Sequence, residues 1–320
     1  VTLSMQRVRS AYLVADSQFA LSALPSSSVG AVVTSPPYMA AKEYEEGWTW
    51  EAYWRLMSSV IAESYRVLLP GGWLCINMGM TPMPLEPGET EKVQQSGIPH
   101  RLWAMMQERG FLMDADIIWL KAAPKGPGQW RMWGSFPYPS KIYVQYGHEY
   151  ILRGRVRGRR EVPEAVKEAS RLTNPEFTEW AQGVWKVFPL NRSRELKHPA
   201  PWPVEIPYRL IRMHSFVGDV IVDPFTGSAG TQLAAASCGR HSLGVEKHEQ
   251  YWPDARHRCG GSEFIGYSNL RRFDDPAGAV RYVFDGGVGP GAPADEGGAA
   301  PLPLATASTA RDPGDDIISA

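Results

Sequence analysis

The chain has 320 residues, 43% of them hydrophobic and 11% aromatic, with a formal net charge of −1. That length can bury a sizeable core in one large domain plus an insertion, and a charge near zero neither demands nor excludes a nucleic-acid partner. Three cysteines without paired spacing (Cys75, Cys238, Cys259) argue against a disulfide framework, and seven histidines without ligand spacing argue against a metal site; with no apolar run near the ~20 residues of a membrane span and no signal-peptide pattern after Arg7 and Arg9, a cytoplasmic protein is expected.

In chain order, Tyr12-Leu13-Val14-Ala15 reads as a short strand ending at Asp16, and Phe19-Ala20-Leu21 with Leu24 as a helical turn. The apolar run Val29–Thr34 reads as a buried strand. Trp50 to Leu69 carries Tyr53, Leu56, Met57, Val60, Ile61, Tyr65 and Leu68 at helical spacing, and Pro70-Gly71-Gly72 is expected to stop that helix before a strand over Trp73–Met78. Residues 79–97 read as a loop, Pro99–Arg109 as a helix capped by Gly110, and Asp116–Leu120 as a strand. From Ala122 to about Lys197 the alternation breaks down into a stretch rich in tryptophan, tyrosine and arginine. It returns as a helix over Pro203–His214, a strand over Val220–Val222, a helix over Ala229–Cys238, a strand over Ser242–Glu246 and a helix over Glu249–Arg258.

Strands separated by helices predict an α/β, doubly wound, mostly parallel sheet. Residues 1–121 and 197–273 are then two halves of one domain, and 122–196 is a recognition region between them. The Gly-, Pro- and Ala-rich tail 274–320 lacks the large apolar side chains needed to offset its ordering entropy and is expected to be disordered.

Two motifs carry chemistry. Ser35-Pro36-Pro37-Tyr38 follows the Val29–Thr34 strand, and two prolines can extend neither a sheet ladder nor a helix interior. The resulting stiff turn places a hydroxyl, proline carbonyls and an aromatic ring at the carboxyl end of a strand, where open α/β sheets bind ligands. That set suits gripping a planar base and its amino group. The second motif, Asp223-Pro224-Phe225-Thr226-Gly227-Ser228-Ala229-Gly230-Thr231, joins a strand to a helix, and glycines there let a ligand approach backbone N–H groups. The next strand ends at Glu246, placed to accept hydrogen bonds from a ribose diol, which suggests an adenosine-bearing cofactor. No Gly-Lys-Ser or Gly-Lys-Thr follows, so ATP fits poorly, and the spacing departs from the dinucleotide G-x-G-x-x-G pattern.

These motifs resemble the DNA amino-methyltransferases of the permuted beta group, in which the catalytic half precedes the S-adenosylmethionine half. The matching residues are Ala15-Asp16, Ser35–Tyr38, Leu69-Pro70-Gly71-Gly72, Lys197-His198-Pro199-Ala200-Pro201-Trp202-Pro203, Asp223–Thr231 and Glu246, in that order over roughly residues 10–260. The resemblance implies S-adenosylmethionine contacts at Asp16 (the adenine amine), Thr34, His198, Pro199, Asp223, Pro224, Phe225, Gly227, Ser228 and Glu246, and a catalytic turn at Ser35, Pro36, Pro37 and Tyr38. It implies double-stranded DNA as partner and a restriction endonuclease acting separately on the same site. Serine at the first position of the turn goes with cytosine N4 in such enzymes and aspartate with adenine N6. Ala229 stands where the family usually has glycine, and an ordinary right-handed helix start is expected there.

The amino nitrogen of cytosine or adenine shares its lone pair with the ring and is a poor nucleophile. Acceptors at Ser35 Oγ and the Pro36 carbonyl would favour its tetrahedral form in the transition state, and Tyr38 would stack on the flipped base. Cytosine C5 chemistry instead needs a Pro-Cys nucleophile, and none of the three cysteines follows proline. Arg153, Arg155, Arg157, Arg159 and Arg160, beside many aromatics, are expected to contact phosphates. The rivals are adenine-N6 methylation and a catalytically silent DNA-binding module on the same scaffold. A silent module should lack Glu246 or the Ser-Pro-Pro-Tyr acceptor; this chain keeps both.

Overall fold

The computed structural model describes residues 8–39, 47–84, 93–121, 138–139, 147–188, 202–260 and 270–286. In chain order the strands are β1 (Ser10–Val14), β2 (Val29–Thr34), β3 (Leu68–Met78), β4 (Pro82–Pro84), β5 (Val93–Gln95), β6 (Leu112–Met113), β7 (Ile117–Leu120), β8 (His148–Arg155), β9 (Val184–Lys186), β10 (Val220–Asp223), β11 (His241–Glu246) and β12 (Leu270–Phe273). The helices are α1 (Ser17–Ser22), α2 (Trp50–Val67), α3 (Ile98–Arg109), α4 (Glu164–Ala169), α5 (Asn174–Trp180), α6 (Glu205–His214), α7 (Gly230–Ser237), α8 (Trp252–Gly260) and α9 (Pro276–Val280). No helix among the described residues is long and apolar enough to cross a membrane.

One sheet runs in the order β12-β1-β11-β10-β2-β3-β8-β7-β9, with β6 also paired to β8. From β12 to β3 every pairing is parallel, and β8 enters antiparallel between β3 and β7. The core follows from alternation along each strand. Val32, Leu74, Ile76, Leu152 and Val222 face the layer formed with α1, α2 and α3, whereas Ala31, Val33, Cys75, Ile151 and Ile221 face α6. In α2 the buried stripe Tyr53, Leu56, Met57, Val60, Ile61, Ser64, Val67 recurs at helical spacing, and Thr49 caps its start by accepting from the Ala52 amide at 3.2 Å.

Several sequence expectations shift. The helix stops at Val67, because Leu68 already pairs with Val29; the Pro-Gly-Gly turn is instead a bulge inside β3, after which Trp73 pairs with Ala31. Part of 122–196 belongs to the central sheet: β8 pairs with β3 over six residues, Trp73↔Arg155 to Met78↔Tyr150. The first part of the tail expected to be disordered is ordered instead: Pro276–Val280 is helical and continues in a π-turn to Asp285, with Ala279, Tyr282 and Val283 buried against β1 and β11. Residues 287–320 and the Trp130–Tyr146 stretch, except 138–139, lie outside the described residues.

Candidate active site

Strand order places the site. The strand that follows β10 in the chain, β11, lies on one side of it, while β2 on its other side leads outward to β3. This reversal is where an open α/β sheet leaves a crevice at the carboxyl ends of its strands. The ends of β2 and β10 are tied there by a 2.6 Å hydrogen bond from Thr34 Oγ1 to Asp223 Oδ1. Asp223 also accepts from the Phe225 amide (3.0 Å) and from Thr231 Oγ1 (2.6 Å), so this buried carboxylate shapes the loop instead of facing out of it. Burial lifts its pKa to about 6 against the opposing pull of those donors.

The loop after β10 is held at several points. Ser17 Oγ donates to the Pro224 carbonyl (2.6 Å), Tyr12 Oη donates to the Gly227 carbonyl (3.0 Å), and Ser228 Oγ accepts from Arg258 (2.8 Å). Phe225 is half-buried. Glu246, at the end of β11, accepts from the Gly227 amide with one oxygen (3.0 Å) and from the His248 amide with the other (2.8 Å). Burial raises its pKa to about 7, the backbone donors pulling it down and the Asp223 charge adding to the rise. Asp16 lies beside it at the end of β1, where the Ala15 amide bonds the Glu246 carbonyl; its carboxylate caps α1 and lies 3.7 Å from Lys247 Nζ.

Ala229 departs from expectation. Its backbone is left-handed, φ 61° and ψ 31°, with the side chain fully buried, and α7 starts after it. The helix start here is therefore not the ordinary right-handed one. A non-glycine residue held in this region costs about 1–2 kcal/mol, so the chain carries strain where glycine would carry none.

On the other side of the crevice, Ser35 Oγ lies 3.2 Å from Tyr38 Oη. Tyr38 Oη donates to Glu149 Oε2 at 2.8 Å, and Asn77 Nδ2 reaches both Tyr38 Oη (2.8 Å) and Glu149 Oε2 (2.7 Å), with Ser35 Oγ at 3.5 Å. Lys121 Nζ donates to the second Glu149 oxygen. Thr81 Oγ1 holds the Tyr38 carbonyl at 2.9 Å. Gly79 leaves room for the ring, since a Cβ there would lie 3.2 Å from Tyr38 Cε2 and 3.3 Å from Glu149 Cγ.

Asn77, Lys121 and Glu149 were missed in the sequence. Asn77 left a signal, a polar residue near the end of an otherwise apolar strand. Glu149 meets Tyr38 across 111 positions, through a strand that was not recognised.

The structure thus brings Asp16, Thr34, Ser35, Pro36, Pro37, Tyr38, Asp223, Pro224, Phe225, Gly227, Ser228 and Glu246 to one end of the sheet. His198 and Pro199 lie outside the described residues. The arginine cluster lies away from this crevice. Because β8 runs antiparallel to β3, Tyr150 pairs near the carboxyl end of β3 and Arg155 with Trp73 toward its amino end. Arg153 is bound to Asp114 (3.2 Å) and the Ala115 carbonyl (2.9 Å), Arg155 reaches the Gly158 carbonyl (3.4 Å), and Arg160 pairs with Asp219 at the amino end of β10. Arg157 and Arg159 are exposed on the same far side. All three cysteines are unpaired, and burial pushes the thiols of Cys75 and Cys259 up to about 12 and that of Cys238 to about 11, so none is a ready thiolate.

Comparison with known proteins follows the same lines. A family model described as DNA methylase, covering N6 and N4 methyltransferases, matches residues 29–257. The chain is 30% identical over 289 residues to the Type II methyltransferase M.MthZI of Methanothermobacter thermautotrophicus, covering 81% of this chain and 79% of that protein. A Thermus thermophilus structure, described as a DNA modification methylase complexed with S-adenosyl-L-methionine, superposes with a TM-score of 0.65 at 29% identity, over 83% of this chain and 100% of the other. The cytosine-N4-specific PvuII DNA methyltransferase superposes with a TM-score of 0.59 at 19% identity, over 88% of this chain and 95% of the other, a likeness of fold alone.

Proposed function

The chain belongs to the DNA methylase family of N6 and N4 methyltransferases, and on that premise we propose that it methylates the N4 amine of a cytosine flipped out of duplex DNA. It is an S-adenosylmethionine-dependent DNA methyltransferase of the restriction-modification type. The choice of base, the role of each residue and a cognate endonuclease acting on the same sequence belong to the proposal.

The residues present suit the cofactor. When ionised, Glu246 is an acceptor-only group at a strand end, and the two amides that engage it leave lone pairs for a ribose diol. Asp16 is a second acceptor beside it, Phe225 offers an apolar wall, and Gly227 has a positive φ of 50° that bends the loop. We assign the nucleoside end to Glu246, Asp16 and Phe225, and the loop 224–228 to the cofactor's flank. His198 and Pro199 remain assigned to the methionine end by resemblance. When bound, S-adenosylmethionine supplies a methyl group activated by its sulfonium.

The observation that carries the base assignment is Ser35 itself, an uncharged hydroxyl at the head of the turn, tied through neighbouring Thr34 to Asp223 of the cofactor loop. Its Oγ and the Pro36 carbonyl would accept the two amine protons, drawing the nitrogen toward tetrahedral geometry as the N–C bond forms and the S–C bond breaks. Tyr38 would stack on the base, and the extra proton on the methylated nitrogen leaves to solvent. Bringing both substrates to one crevice supplies much of the rate by positioning. We assign sequence reading to residues 122–196 apart from β8 and β9.

The test is to methylate plasmid DNA with labelled cofactor, digest it to nucleosides and identify the labelled product by mass. N4-methylcytosine is expected; N6-methyladenine as the sole product would overturn the base assignment and leave the methyltransferase in place.

A further inference from the structure

Glu149 has no part in the methyl transfer itself, yet it is 6% exposed and reaches the heart of the catalytic turn. The direction of each hydrogen bond around it can be worked out. A carboxylate only accepts, and Lys121 occupies one oxygen. The Tyr38 hydroxyl spends its single proton on the other oxygen, at 2.8 Å. Asn77 must turn its amide nitrogen to the same oxygen, at 2.7 Å, because its own carbonyl oxygen there would face a like charge; that Oδ1 atom accordingly lies buried without a partner. With its proton on Glu149, Tyr38 Oη accepts from Asn77 at 2.8 Å and from Ser35 at 3.2 Å. The Ser35 hydrogen then points to Tyr38, and the serine presents lone pairs to the crevice.

We propose that Glu149, held by Lys121, is a positioning residue that sets the direction of the Ser35–Tyr38–Glu149 hydrogen-bond chain, so that Ser35 meets the substrate's amine as an acceptor. The opposite direction would aim the serine hydrogen at an amine hydrogen. The inference rests on Ser35 serving as the amine's acceptor, which holds whether the base is cytosine or adenine.

Glu149→Gln tests it, because the amide keeps the shape and reverses the direction. Lys121 draws the amide oxygen, so the NH2 faces Tyr38 and donates to it. Asn77, 2.7 Å from the same atom, could turn its own oxygen to that NH2 and take the tyrosine proton, so Glu149 and Glu149→Gln are compared in an Asn77→Ala background, where the tyrosine proton turns to Ser35 and the serine hydrogen to the crevice. Turnover, counted as labelled methyl on DNA whatever the base, should fall by ~10²-fold, comparable to loss of one transition-state hydrogen bond. The DNA KM and cofactor dissociation constant should stay at the values of Asn77→Ala alone. Tyr38→Phe keeps the ring but cuts the chain, so it should lose turnover itself, and Glu149→Gln should cost nothing more in that background. Unchanged turnover when Glu149→Gln is added to Asn77→Ala, or a loss equally large with and without the Tyr38 hydroxyl, would overturn the proposal. If Glu149→Gln fails to bind cofactor, Tyr38→Phe decides alone, and full turnover in that variant overturns it. Nucleoside analysis of the same products reports the base separately, so a wrong base assignment and a wrong role for Glu149 give different results.

Discussion

With Glu246 assigned to the ribose diol, as proposed, cofactor affinity should depend on pH in a direction set by its buried position. Burial raises its pKa from 4.5 to about 7, with the Asp223 charge contributing, while a ribose diol needs the ionised form as acceptor. The ionised fraction of a group titrating near 7 is about 0.1 at pH 6 and about 0.9 at pH 8, so S-adenosylmethionine should bind roughly tenfold more weakly at pH 6. The effect on the protein without cofactor has the opposite sign. A carboxyl whose folded pKa lies above its unfolded one favours the folded state most below about pH 4.5, and that contribution, roughly 3 kcal/mol for this shift, is lost as pH rises through about 7. Isothermal titration calorimetry from pH 6 to 8 on the wild type and Glu246→Gln reads the first effect. The variant should bind about 10- to 100-fold more weakly at pH 8, as for a lost hydrogen bond to a charged group, and should lose the wild type's pH slope. The cofactor's own amino group titrates in both proteins and cancels in the comparison. Parallel slopes for the two proteins would remove Glu246 from the ribose site.

Two further outcomes follow from the backbone and the sheet. Ala229→Gly should raise stability by up to about 1.5 kcal/mol, since relief of ~1–2 kcal/mol of left-handed strain is set against the ~0.5–1 kcal/mol of glycine's backbone entropy; urea unfolding that finds the variant less stable would show that the buried methyl outweighs the strain. Arg157→Gln combined with Arg159→Gln should leave both DNA affinity and its salt slope unchanged. These residues lie at the far end of the sheet from the catalytic turn, whereas removing an arginine that meets a phosphate would flatten the slope by nearly one unit.

How much of this was legible depends on how local the cause is. The strands β2, β10 and β11 are short apolar runs between clear breakers, and each could be read directly. The two glycine and proline turns that follow β2 and β10 carry their own conformational reasons, which is why both halves of the crevice were found. The β8 strand was not, although its signal was present. Arg153 and Arg155 alternate with Leu152 and Gly154, as the two faces of a strand do, and Gly154 packs against Met106, Phe111 and Met113. Read only as a charge run, the segment was not taken for a strand. Missing β8 hid Glu149, whose role exists only once the antiparallel strand returns it to Tyr38. Ala229 shows a different limit, since a residue type alone does not report the sign of φ.

Single-turnover methyl transfer by Ser35→Ala tests the central claim, that the hydroxyl at the end of β2 grips the reacting amine. The substitution leaves the Pro-Pro turn and the Thr34–Asp223 bond in place. With enzyme and labelled cofactor in excess over a short duplex, the rate of methyl transfer should fall by ~10²–10³-fold, and the cofactor dissociation constant should equal that of the wild type. An unchanged transfer rate in Ser35→Ala would contradict the account.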